Sequence, residues 1–176
     1  MSLWRRILGG GDPLPDDVAL APDETVAGTA TVAGGGTLVV TSWGVHPPGG
    51  GRIGWHEIAK AVWDRGSSTL VVTPAAVEEV APGIELLADD RPRRFRLTGP
   101  GPVPKAVQDR VTQSIRSRHR RDLPGGGAWV LQRRVPGGGG LVLQVRPDPG
   151  TDPIAVRRLA EGLAGRLGEL RPGGDE

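Results

Sequence analysis

The chain of 176 residues has no cysteine and no tyrosine, one phenylalanine, one methionine and only two lysines against twenty arginines. Without cysteine there is no disulfide, no thiolate metal site and no thiol nucleophile. A cysteine-free chain fits a reducing compartment, so a cytoplasmic location is expected. No apolar run approaches the ~18 residues of a membrane span. The two arginines near the N-terminus are not followed by the apolar core of a signal peptide. An excess of arginine over lysine is expected of a GC-rich, actinobacterial-type genome and points to no function by itself.

What is present is enough for a core. Leu, Val, Ile and Phe number 43, and five Trp add to them. That share exceeds the roughly 20% below which disorder becomes the default. Glycine (29) and proline (17) are abundant, but the glycines cluster in runs between apolar segments, as loops do. Net charge is only +2, yet it is unevenly spread. Residues 91–121 hold ten Lys or Arg and one acid, Asp109, so this segment carries +9 and the remainder −7. Such asymmetry points to an anionic partner without identifying it.

Three segments follow from periodicity. Residues 1–22 form an N-terminal segment in which Leu3, Trp4, Ile7 and Leu8 share a helical face, either docking on the protein or resting on an anionic membrane. Residues 23–123 form a β-rich core. Strands are expected at 24–33, 37–45, 69–74 and 84–89, and at 93–98, where Phe95 and Leu97 alternate with Arg94 and Arg96. A helix is expected over 104–121, opened by Pro104 and striped by Val107, Val111 and Ile115. Residues 124–176 hold a hairpin, 128–134 with 141–147, and a helix capped by Asp152-Pro153, packed on the same domain.

Gly49, Gly51 and Gly54 match G-x-G-x-x-G. A dinucleotide loop needs its glycines directly after a strand and at the start of a helix, but Pro47-Pro48 intervenes. The acid expected about 20 residues further on is also missing. A turn between strands is the better reading. No G-K-[ST] occurs, so there is no Walker loop. His56-Glu57 begins a zincin motif, but Lys60 stands where its second histidine belongs. The acidic pairs are adjacent residues, and no serine lies in G-x-S-x-G. No catalytic, cofactor-binding or metal-binding residue is assigned, and an unrecognised enzyme is the third-ranked reading. For 52–63 the pattern fits both helix and strand.

The run TLVVTSWGV, then GRIGWHEIAKAVWD, then TLVVTP resembles the opening meander of pleckstrin-homology-like and GRAM-type domains. Leu38–Thr41 matches their second-strand pattern, and Ile53-Gly54-Trp55-His56-Glu57-Ile58 matches the apolar-W-x-x-I of the third. The resemblance implies an α+β fold: an antiparallel meander or partly open barrel with a capping helix, plus the C-terminal hairpin and helix. It favours strand for 52–63. Lipid-binding members carry basic residues between the first two strands, whereas Val32–Gly36 is uncharged here, so no ligand residue carries over.

The functional expectation therefore rests on the basic segment. Arg94 and Arg96 of the strand, with Lys105, Arg110, Arg116, Arg118, Arg120 and Arg121 of the helix, are the candidate binding residues. The expected role is a non-catalytic interaction module presenting arginine to an acidic protein face or a membrane surface, at which the protein would be peripheral. Nonspecific nucleic-acid binding by the same residues is the alternative. It is not favoured, because readers of single strands interleave stacking aromatics and the segment holds only the inward-facing Phe95.

Overall fold

The structure, a computed structural model, describes residues 14–170; the expected N-terminal helical face (Leu3 to Leu8) and the terminating Pro172-Gly173-Gly174 lie outside the described residues. The elements run β1 (Val26–Val32), β2 (Thr37–Thr41), β3 (Gly44–His46), β4 (Ile53–Gly54), a 3₁₀ turn (Trp55–Glu57), β5 (Ile58–Asp64), β6 (Thr69–Ala81), β7 (Ile84–Asp89), β8 (Arg93–Thr98), α1 (Val103–Ser114), β9 (Ile115–Leu123), β10 (Gly126–Arg134), β11 (Leu141–Pro147) and α2 (Pro153–Leu170). The fold is α+β. The strands form one open sheet in the order β4-β3-β2-β1-β8-β6-β7-β11-β10-β9, and β5 pairs with β6 off this path. All the pairings are antiparallel except that of β11 with β7.

The sheet serves two cores. The first gathers Leu38, Val40, Leu70, Val72 and Phe95 from the strands and Trp55 from the 3₁₀ turn against Val103 and Val107 of α1. The second gathers Ile84, Val130 and Val145 against Val156 and Ala160 of α2. The thirteen-residue β6 belongs to both: Leu70 and Val72 enter the first core, while Val80 and Ala81 pack on the second. α2 begins as its sequence dictates, with Asp152 accepting a hydrogen bond from Ile154 N–H at 3.0 Å and Pro153 in the first turn.

Two polar side chains bind the halves together. Arg133 is 2% exposed and donates to Trp55 O (2.5 Å), Ile58 O (2.8 Å) and Ser114 Oγ (2.7 and 3.1 Å). Gln144, also buried, donates from Nε2 to His56 O and to Glu85, both at 2.8 Å. Burial pulls the Arg133 pKa down to about 10, helped by nearby Arg146, so its charge survives at neutral pH.

Several expectations need correction. The helix expected over 104–121 ends at Ser114; Ile115 turns to φ −86°, ψ 116°, and residues 115–123 are strand. Lys105 and Arg110 are therefore helical, but Arg116, Arg118, Arg120 and Arg121 are not. The physical reason is the tight connection Pro124-Gly125, which folds 115–123 back on β10 and pairs Leu123 with Gly126. Strand pairing also separates arginines that a helix end would crowd on adjacent turns. The strand expected over 37–45 breaks at Ser42-Trp43 into β2 and β3. Residues 52–63 are mostly strand, interrupted by the 3₁₀ turn. Gly49, Gly50 and Gly51 lie in the β3–β4 loop with φ between +81° and +96°, and they open no helix.

Candidate anion-binding face

β9 lies at one end of the sheet and is almost wholly exposed. In a strand, alternate residues share a face. Arg118 and Arg120 therefore point one way, and Ser117, His119 and Arg121 the other; the register shifts at Arg116, which has no partner residue on β10. On β10, Trp129 sits opposite Arg120 and Leu131 opposite Arg118. The Arg118 and Arg120 guanidinium carbons lie 5.7 and 5.5 Å from the centre of the Trp129 ring. Trp129 is 37% exposed, unlike the buried Trp55. Each such cation–ring contact stabilises by about 0.5–1 kcal/mol at an exposed site.

Counter-charges flank the ring. Arg120 makes a forked ion pair with Asp148. Its hydrogen bond holds the Asp148 carboxyl below the usual range. Arg146, opposite Trp129 on β11, makes a second fork to Asp89 through Nε at 3.1 Å and a terminal nitrogen at 2.8 Å. Arg118 makes no ion pair among the described residues; its contact is the Trp129 ring. The face thus combines an exposed indole, a guanidinium without a carboxylate, and two whose carboxylates an incoming anion could displace.

The eight arginines and lysines expected to form one surface do not all meet. Arg94 and Arg96 are exposed on β8, on the side opposite Phe95 and Leu97, which pack toward α1. Lys105 and Arg110 ride on α1, across the sheet from them, and Lys105 is paired with Asp109. Arg121 projects from β9 away from Trp129. What the structure brings together is Arg118 and Arg120, with Arg116 next along the same strand. It adds Trp129 and Arg146, which periodicity alone did not single out. The antiparallel register of the expected hairpin is what sets Arg146 opposite Trp129.

Other polar clusters read as structural. Glu24 is buried and accepts from Thr41 Oγ1 (2.5 Å), His46 Nε2 (2.9 Å), Arg52 (2.7 Å) and Ala21 N–H (3.0 Å). Burial pushes its carboxyl upward, but the bonds from His46, Thr41 and Ala21 and the Arg52 charge outweigh burial and hold it below the usual value. The His56 ring is held toward the neutral form by burial, and its Nδ1 has no hydrogen-bond partner among the described residues. Among the described residues no three His, Cys, Asp or Glu side chains gather to hold a metal ion, and no helix is long and apolar enough to cross a membrane. A cleft of about 410 Å³ beside the start of α2 is lined mainly by apolar groups such as Val77, Leu86 and Val156. Comparison with protein-family models, with curated proteins and with solved structures finds no match for this chain.

Proposed function

We propose that the protein is a non-catalytic interaction module that receives an anionic partner on the β9–β10 face, centred on Trp129 between Arg118 and Arg120. The observation that carries this reading is the placement of both guanidinium groups on one exposed indole at the end of the sheet. An arginine fork recognises a carboxylate through two parallel hydrogen bonds. Aromatic and arginine side chains are also the ones enriched at protein interfaces. An acidic protein segment is therefore the first choice of partner. The pleckstrin-homology-like plan belongs to the same proposal. It rests on β1–β6 and β8, with α1 across one face, and it would make the first half a scaffold for the second. A peripheral cytoplasmic position at a membrane is the variant in which the anion is a lipid surface.

Nonspecific nucleic-acid binding is the second reading, and Trp129 favours it. Bases stack on exposed aromatics while arginine neutralises phosphate, and the aromatic lacking in the basic segment itself is supplied by the neighbouring strand. The test is binding of four probes: poly-L-glutamate, phosphatidylserine-containing vesicles, a single-stranded oligothymidylate and a DNA duplex. Each is measured with the wild type and with an R116E/R118E/R120E variant at two salt concentrations. The proposal expects salt-sensitive binding of poly-glutamate that the variant loses while keeping its circular dichroism. Preference for vesicles or for oligothymidylate would move the assignment to those partners. Equal binding by the variant would dismiss this face.

A further inference from the structure

β9 offers more than side chains. It is nine residues long, and no strand among the described residues pairs with its outer edge. The opposite end of the sheet, β4, is only two residues long. The direction of the β9 backbone groups can be deduced. Gly127 N–H donates to Thr151 Oγ1 (3.1 Å), and Gly127 O accepts from Asp148 N–H (2.9 Å), so both point toward the β11 side. In an antiparallel pair, hydrogen-bonded and non-bonded positions alternate. Gly127–Asp122, Trp129–Arg120 and Leu131–Arg118 are then the non-bonded pairs. Arg118, Arg120 and Asp122 consequently turn their own N–H and C=O groups outward, to the free edge. The two arginines that flank Trp129 are the same residues whose backbone is available for pairing.

A long unpaired edge invites another strand, and charge decides which one. A second copy of β9 laid antiparallel would set arginine against arginine, and directly opposed like charges are destabilising. An acidic strand meets the opposite condition. Its residues bonded to Arg118 and Arg120 would carry their side chains on the Trp129 side, within reach of both guanidinium groups. Asp122 ends the basic run and fixes where the acidic positions must stop.

Resting on the reading above, we infer that β9 binds an extended acidic peptide segment of a partner by antiparallel strand addition, with Asp or Glu at alternate positions opposite Arg118 and Arg120. Main-chain bonds supply affinity in this mode, and alternate side chains supply selectivity. The residues that repel a second copy also select the acidic ligand.

The probe is an acetylated and amidated nonapeptide of alternating glutamate and threonine, tested by calorimetry with the full chain. Two further versions are N-methylated, one on the glutamates and one on the threonines. The glutamates facing Arg118 and Arg120 must use their own N–H groups, so methylating them is expected to weaken binding at least about tenfold, whereas methylating the threonines leaves it near the parent value. Amide exchange at Arg118 and Arg120 should slow in the complex. An R118E/R120E variant, folded by circular dichroism, should lose the parent peptide. Equal binding of both methylated peptides, or no slowing of exchange, overturns strand addition while leaving the anionic face standing. Failure of every nonapeptide while poly-glutamate still binds has the same meaning. Failure of poly-glutamate as well removes the anionic face itself.

Discussion

At the scale of single residues, the molecule depends on charges placed where water is scarce. Arg133 satisfies two carbonyl oxygens and a hydroxyl and makes no ion pair among the described residues. Truncating it removes a buried donor from all three, although Trp55 O keeps the Ile58 N–H and Ser114 Oγ keeps its bond to Val111 O. Arg133→Met is therefore expected to lower stability by about 2–4 kcal/mol, measured by urea unfolding; a change below about 0.5 kcal/mol would mean the guanidinium is not a tie. Glu24 sets a pH dependence. Its folded-state pKa is lowered from 4.5, so its contribution is fully present above the unfolded value and is lost as pH falls through the folded one. A Glu24→Gln variant should be less stable at neutral pH and should lose stability less steeply below pH 4.5. An unchanged acid slope would contradict this account. Neither residue was legible in the chain. Arg133 and Arg134 are adjacent, and only the register of β10 shows which one is buried. Glu24 meets His46 and Arg52 only after β2 and β3 have folded back beside it.

At the scale of elements, what was legible depended on whether an element buries a face. β8 was readable because Phe95 and Leu97 alternate with arginines. α2 was readable because Asp152 caps it and Pro153 fits its first turn. β9 was not, for a physical reason: exposed on both faces, it carries no apolar alternation, and Ile115 continues the four-residue spacing of Val103, Val107 and Val111. The information that makes it a strand lies in the connection to β10. Gly125 has φ +80°, and a Cβ there would stand 2.5 Å from Gly150 O. Gly125→Ala should therefore destabilise the protein by about 2 kcal/mol or more and weaken poly-glutamate binding by loosening β9. A variant with wild-type stability would show that the turn does not set the hairpin.

At the scale of the whole molecule, the concentration of +9 within 91–121 does not become one surface. The sheet divides it, placing Arg94 and Arg96 on one side of the first half and Lys105 and Arg110 on the other. Arg93 also lies over an aromatic ring, that of the buried Phe95, but the β9 arginines meet an exposed one beside a strand edge that is free among the described residues. Sequence alone showed that a basic region exists; the pairing of β9 with β10 selects which part of it can act together. The most direct measurement is a residue-resolved NMR titration of isotope-labelled protein with poly-L-glutamate, following backbone amides and tryptophan indole N–H groups. The account predicts that the Trp129 indole and the amides of Arg118 and Arg120 shift first and together, with Arg94, Arg96, Lys105 and Arg110 unmoved. Shifts confined to those four residues, or spread evenly over every basic residue, would contradict it.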